Sequence, residues 1–125
     1  VVKFEKVRPW CEELDRGLAQ TFGHDHDAIV AGVNSGYLEA YRMWDGAAYM
    51  VTRVEKGVLT VCCYQGERVV EAMRWMNARS RMLGLHAIVF YTRRPGLARL
   101  LKEFDFQLDD YVFRADFRPA REEVA

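Results

Sequence analysis

Val58-Leu59-Thr60-Val61-Cys62-Cys63-Tyr64-Gln65-Gly66-Glu67-Arg68-Val69-Val70 decides the fold of this 125-residue chain. Val58 to Tyr64 is an uncharged run of strand length, rich in β-branched residues. Gln65-Gly66 breaks it. From Glu67 to about Leu83 the apolar period becomes helical, with Val69, Met73, Met76 and Leu83 on one face and Gly84 as the stop. Ala87 to Tyr91 is then continuously apolar, as a strand covered on both faces must be. Strand, glycine turn, helix and buried strand in that order form a crossover unit, which puts a parallel pair into the sheet.

Upstream, Tyr37–Trp44 and Ala48–Val54 read as strands joined at Asp45-Gly46, a hairpin dipeptide, with Glu55-Lys56-Gly57 closing the second. Lys3–Val7 alternates as a short first strand. Pro9 suits a first helical turn, and Trp10, Leu14, Leu18 and Phe22 recur at four-residue spacing, predicting an amphipathic helix over 9–22. Asp25 or Asp27 caps a second helix reaching Gly32–Gly36, with Ile29, Val30 and Val33 buried. Downstream, Pro95-Gly96 opens a helix through about Glu103, and Gln107–Phe117 alternates as one long final strand. The order β-α-α-β-β-β-α-β-α-β predicts an α/β three-layer domain over 1–117, its mixed, mostly antiparallel central sheet carrying helices on both faces. Arg118–Ala125 is a polar tail expected to fray.

Composition narrows the function classes. Eighteen basic residues balance eighteen acidic ones, which removes the global attraction for nucleic acid or an anionic membrane. No apolar run approaches the roughly 20 residues of a spanning helix. The N-terminus lacks the basic, apolar and small-residue order of a secretion signal, and its missing Met points to trimming. Three cysteines, two of them adjacent, cannot all pair within the chain. Free thiols in a reducing, cytoplasmic setting follow.

The element order, the Val7-Arg8-Pro9 opening and the Gln65–Val70 turn together resemble the GNAT acyltransferase family, over nearly the whole chain. The resemblance implies an acyl-CoA-dependent N-acyltransferase using acetyl-CoA, or another acyl-CoA, on an amine of a small molecule or protein. It places the cofactor along Cys63, Tyr64, Gln65, Gly66, Glu67, Arg68, Val69 and Val70, with Arg94 at the start of the closing segment. The family's turn reads Q/R-x-x-G-x-G/A because backbone N–H groups at a strand-to-helix turn face the pyrophosphate and small residues let it approach. Gln65 fits that pattern. Arg68 stands at the first required glycine and Val70 at the Gly/Ala position. Arg68 therefore either supplies a phosphate contact or fills the pocket.

The family's acid, a tyrosine on the closing helix, is Leu101 here, and Asp105-Phe106 replaces its "G-F". Tyr91, Tyr64 or a water is left to protonate the leaving thiolate, and Glu39 or His86 to take the amine proton. These departures open an alternative. The chain also resembles compact, divergent GNAT-like proteins of tailed bacteriophages, which would act in the host cytoplasm by binding a host or virion protein.

Three further groups carry expectations. His24-Asp25-His26-Asp27 lies too close together on one turn to converge on a metal, and is read as a capped, solvated loop. Cys62 and Cys63 point to opposite faces of their strand as small hydrophobes rather than nucleophiles. Arg93, Arg94, Arg99 and Lys102 form a local basic patch. Finally Tyr37, Tyr41, Trp44 and Tyr49, if unburied, make an apolar surface suited to a homodimer or a host protein.

Overall fold

The structure, a computed structural model, describes residues 3–91, 107–109 and 112–116, with Tyr91 and the last two segments described by backbone alone. Its strands are β1 (Phe4–Val7), β2 (Glu39–Met43), β3 (Ala48–Glu55), β4 (Val58–Gly66), β5 (Ala87–Tyr91), β6 (Gln107–Asp109) and β7 (Val112–Asp116). The helices are α1 (Glu12–Gly17), α2 (His26–Ser35) and α3 (Val69–Met82). The sheet order is β1-β2-β3-β4-β5-β7-β6, mixed and mostly antiparallel, in a three-layer α/β fold. By internal contacts the chain groups into two compact units, Val1–Arg53 with Val61–Val69, and Val54–Thr60 with Val70–Ala125.

In the first unit β1 pairs β2 from Phe4↔Met43 to Val7↔Ala40, and β2 pairs β3 from Glu39↔Thr52 to Met43↔Ala48, both antiparallel. The last pair leaves four residues between β2 and β3, more than a two-residue Asp-Gly turn. Trp44–Gly46 forms a short 3₁₀ turn instead, with Trp44 and Asp45 at φ +49° and +56°. The core joins Leu14, Leu18, Phe22, Ile29, Val33, Leu38, Ala40, Val51 and Cys63.

The helix expected over 9–22 is shorter than its periodicity. Backbone amides at both ends are taken by tertiary acceptors: Trp10 N–H donates to Asn34 Oδ1 (2.8 Å) and Gln20 N–H to Gln65 Oε1 (2.9 Å). Leu18 leaves helical geometry as the C-cap, and a turn carries the chain to Thr21. Leu14, Leu18 and Phe22 are buried nonetheless. The second helix starts at His26 behind Asp25, which makes no side-chain cap, and buries Gly32 rather than Val30 beside Ile29 and Val33.

In the second unit α3 buries Ala72, Met73, Met76 and Ser80, and β5 buries every residue from Ala87 to Phe90. The helix expected from Glu67 begins at Val69, because the strand before it continues to Gly66. The expected long last strand is two: β6 pairs β7 antiparallel, Gln107↔Arg114 to Asp109↔Val112, and β7 pairs β5. A period-two pattern is blind to chain reversal, so alternation alone could not find this hairpin. The expected closing helix with Leu101, the Arg93–Lys102 patch and the tail beyond Phe117 lie outside the described residues.

Candidate functional site

The β4–α3 turn owes its shape to two backbone positions. Gly66 has φ +130°, and a Cβ there would meet the Ala47 carbonyl oxygen at 2.4 Å and Ala48 Cα at 2.5 Å. Only glycine fits. Arg68 has φ +60°, a left-handed conformation costing a non-glycine residue about 1–2 kcal/mol. This chain therefore keeps a glycine-type backbone where the sequence has arginine.

Neighbouring contacts hold the turn. Glu67 N–H donates to Ala47 O at 3.1 Å, the Tyr64 hydroxyl to Glu67 O at 2.5 Å, and Gln65 Oε1 accepts from Gln20 N–H. The Arg68 guanidinium lies 5.3 Å from the centroid of the Trp44 ring, within cation–π range. Val69 and Val70 form the first turn of α3, whose leading N–H groups lack intrahelical acceptors. First-turn amides and the guanidinium of the residue just before them in the chain are donors of the type and sign that a pyrophosphate takes, so the residues present fit a CoA phosphate.

Of the two thiols on β4, Cys63 is buried in the core, and burial pushes it up to about 11. Burial also raises the half-buried Cys62, with the Arg53 charge opposing. Neither is an activated nucleophile. Glu39 carries Lys6 Nζ at 2.8 Å and accepts from the Tyr41 hydroxyl at 2.8 Å, on the rim of a cleft of about 210 Å³ lined also by Val7, Arg8, Val33 and Leu38. His86 packs on Gly57, its Nε2 3.2 Å from Lys56 O, at the turn that opens β4 rather than the one that closes it. An Nε2–H donated to that carbonyl leaves Nδ1 as the acceptor. Tyr91 ends β5, and Arg94 lies outside the described residues.

Two networks were not visible in sequence. Trp10 Nε1–H donates to Asp15 Oδ1 (2.9 Å), which also meets His26 Nε2 (2.7 Å), while His26 Nδ1 meets Asp27 Oδ1 (3.1 Å). Phe22 and Trp10 stand edge-on to the imidazole at 4.9 and 6.0 Å. The His24–Asp27 segment is therefore a clasp between α1 and α2 through His26, not only a solvated loop. No three-residue metal cluster occurs among the described residues. In the second network Glu13 accepts from Arg42 Nη1 (2.7 Å) and the Tyr49 hydroxyl (2.6 Å), fastening α1 to β2 and β3. Those two bonds hold the Glu13 carboxyl below its usual range, and burial lifts Tyr49 to about 12. Of the four meander aromatics only Tyr37 is largely exposed, at 55%. Tyr41 is buried, Tyr49 is bonded to Glu13 and Trp44 contacts Phe4 and Arg68, so the expected shared patch does not form.

The clasp carries a pH dependence. Bonds from Asp15 and then Asp27 raise His26, so its contribution is complete below the unfolded value near 6.5 and is lost as pH rises through the folded one. Asp15 is lowered, chiefly by His26, so its share is present above its ordinary value and is lost as pH falls through the depressed one. His26→Gln should therefore lower the melting temperature at pH 5.5 and have a smaller effect at pH 8.5. Melting curves at both values check this, and an equal deficit at both would remove the ionic clasp.

No family model and no curated protein matches the sequence. Solved structures do match the fold. An acetyltransferase of Bacillus subtilis in complex with CoA superposes with a TM-score of 0.69 at 11% identity, over 91% of this chain and 96% of that one. The ribosomal-protein alanine N-acetyltransferase of Escherichia coli matches at 0.69 and 10%, over 100% and 99%. A GNAT family acetyltransferase of Brucella melitensis in complex with acetyl-CoA matches at 0.62 and 15%, over 95% and 90%. No helix among the described residues is long and apolar enough to cross a membrane. The chain has the fold of the GNAT acetyltransferases.

Proposed function

We propose that this chain is an acyl-CoA-dependent N-acyltransferase, acetyl-CoA being the simplest donor, acting on the amine of a small molecule or protein in the cytoplasm. The observation that carries the proposal is the β4–α3 turn, which keeps left-handed backbone at Gly66 and Arg68 ahead of the first-turn amides of α3. The fold shared with CoA-bound and acetyl-CoA-bound acetyltransferases supports it. When bound, acyl-CoA supplies a thioester carbonyl open to a neutral amine. In this scheme the α3 amides and Arg68 hold phosphate, and backbone N–H groups near Cys63 polarise the carbonyl. Tyr91 is the proposed acid. Glu39, after releasing Lys6 or Tyr41, and His86, through Nδ1 while Nε2–H stays on Lys56 O, are the proposed bases.

A second reading, a catalytically degraded protein of bacteriophage type that binds a host or virion protein, draws on Arg68 and Val70 standing where the turn pattern asks for small residues. Thermal melting with acetyl-CoA separates the two. A ligand at 100 times its dissociation constant should add about 2.7 kcal/mol of stability. Arg68→Ala should weaken binding by about 1.5–3 kcal/mol, the scale of a charge-assisted hydrogen bond. A flat response to millimolar acetyl-CoA removes the acyltransferase, whereas full affinity in Arg68→Ala removes the arginine clamp alone.

A further inference from the structure

We propose that Trp44 is a positioning residue for Arg68, setting where its guanidinium stands and thereby the affinity of the β4–α3 turn for a phosphate-bearing ligand. The inference rests on the function proposed above for that turn. An arginine next to a helix N-terminus puts like polarity together, since the helix end is itself partly positive. The negative face of an indole offsets that crowding, and Trp44 presents one at 5.3 Å. An arginine with many rotamers loses entropy when it grips an anion, and prior stacking reduces that loss.

Trp44 is itself held in place. Its backbone N–H donates to Lys3 O at 3.0 Å, and Phe4 meets the indole edge-to-face at 5.6 Å. The indole Nε1–H is sealed from solvent with no hydrogen-bond partner among the described residues. The backbone around it follows the same interlock. Trp44 and Asp45 adopt positive φ in the β2–β3 loop, and that loop receives Gly66 against Ala47 and Ala48 and accepts Glu67 N–H at Ala47 O. The β2–β3 loop and the β4–α3 turn are thus joined by backbone contact at Ala47 and by side-chain stacking at Trp44.

A calorimetric double-mutant cycle with acetyl-CoA tests this. Trp44→Leu should raise the dissociation constant about fivefold to tenfold, the scale of a partly desolvated cation–π contact. Trp44→Phe, which keeps an aromatic face, should recover most of that loss. In an Arg68→Ala background Trp44→Leu should have no further effect. An equal loss with and without Arg68, or no rescue by phenylalanine, assigns Trp44 a merely structural role and overturns the proposal. Tighter binding in Trp44→Leu also overturns it, by making the stack a restraint. Inorganic pyrophosphate titrated in parallel separates the two levels. Pyrophosphate binding with the same coupling, but no acetyl-CoA binding, keeps the positioning role and removes the acyltransferase. Binding of neither removes both.

Discussion

Gly66→Ala is expected to cost about 3 kcal/mol of stability. One part is backbone strain at φ +130°, on the order of 1–3 kcal/mol for a residue with a Cβ. The other is overlap with the Ala47 carbonyl and Ala48 Cα, backbone atoms that cannot turn aside as a side-chain tip does. Overpacking of this kind adds roughly 1–3 kcal/mol. Gly84→Ala is the control: φ is +74°, but no atom lies within 4 Å of the new Cβ, so strain acts alone at about 1 kcal/mol. Urea denaturation of both variants gives the comparison. Equal losses would mean that the turn does not rest on the β2–β3 loop. A larger loss at Gly66 shows that the turn is built on that contact.

Leu14→Ala is expected to lose about 2–5 kcal/mol, the range for emptying a buried leucine site. Leu14 is fully buried in the cluster that also contains Leu18, Val33 and Val51, although it belongs to a helix of only six residues. So short a helix has little stability of its own, and its burial has to hold it in place. Val30→Ala, on the half-exposed side of α2, should cost less than about 1 kcal/mol. The same denaturation experiment measures both. Similar losses would mean that Val30 is buried, as the residue pattern of 25–36 predicts, and not half-exposed.

The chain's organisation was legible because apolar patterning is a local consequence of which side of an element meets the core. The β4 strand, the start of α3 to within two residues, the Gly84 stop and the buried β5 strand all follow from residue order over 58–91. So does the Lys56-Gly57 turn, where both residues take positive φ as a two-residue hairpin turn requires. The GNAT resemblance in the element order was matched by the fold comparisons. The turn motif itself was only half legible, because its glycine pattern is broken at position 68 in sequence but preserved in the backbone.

By itself the sequence determined the α/β class, the order of strands and helices as far as β5, and that Leu14, Leu18, Phe22, Ile29 and Val33 point inward. Only the tertiary structure decided where α1 ends, because Gln65, 45 residues away, captures the Gln20 amide that a longer helix would bond to its own carbonyl. It also decided that Gln107–Asp109 and Val112–Asp116 are two paired strands, since β6 and β7 bond to each other in a register that side-chain alternation does not encode. The His26 clasp and the Trp44–Arg68 stack belong to the same class. Each joins groups 11 to 24 residues apart, and electrostatic attraction between them acts only after folding has brought them within a few ångströms.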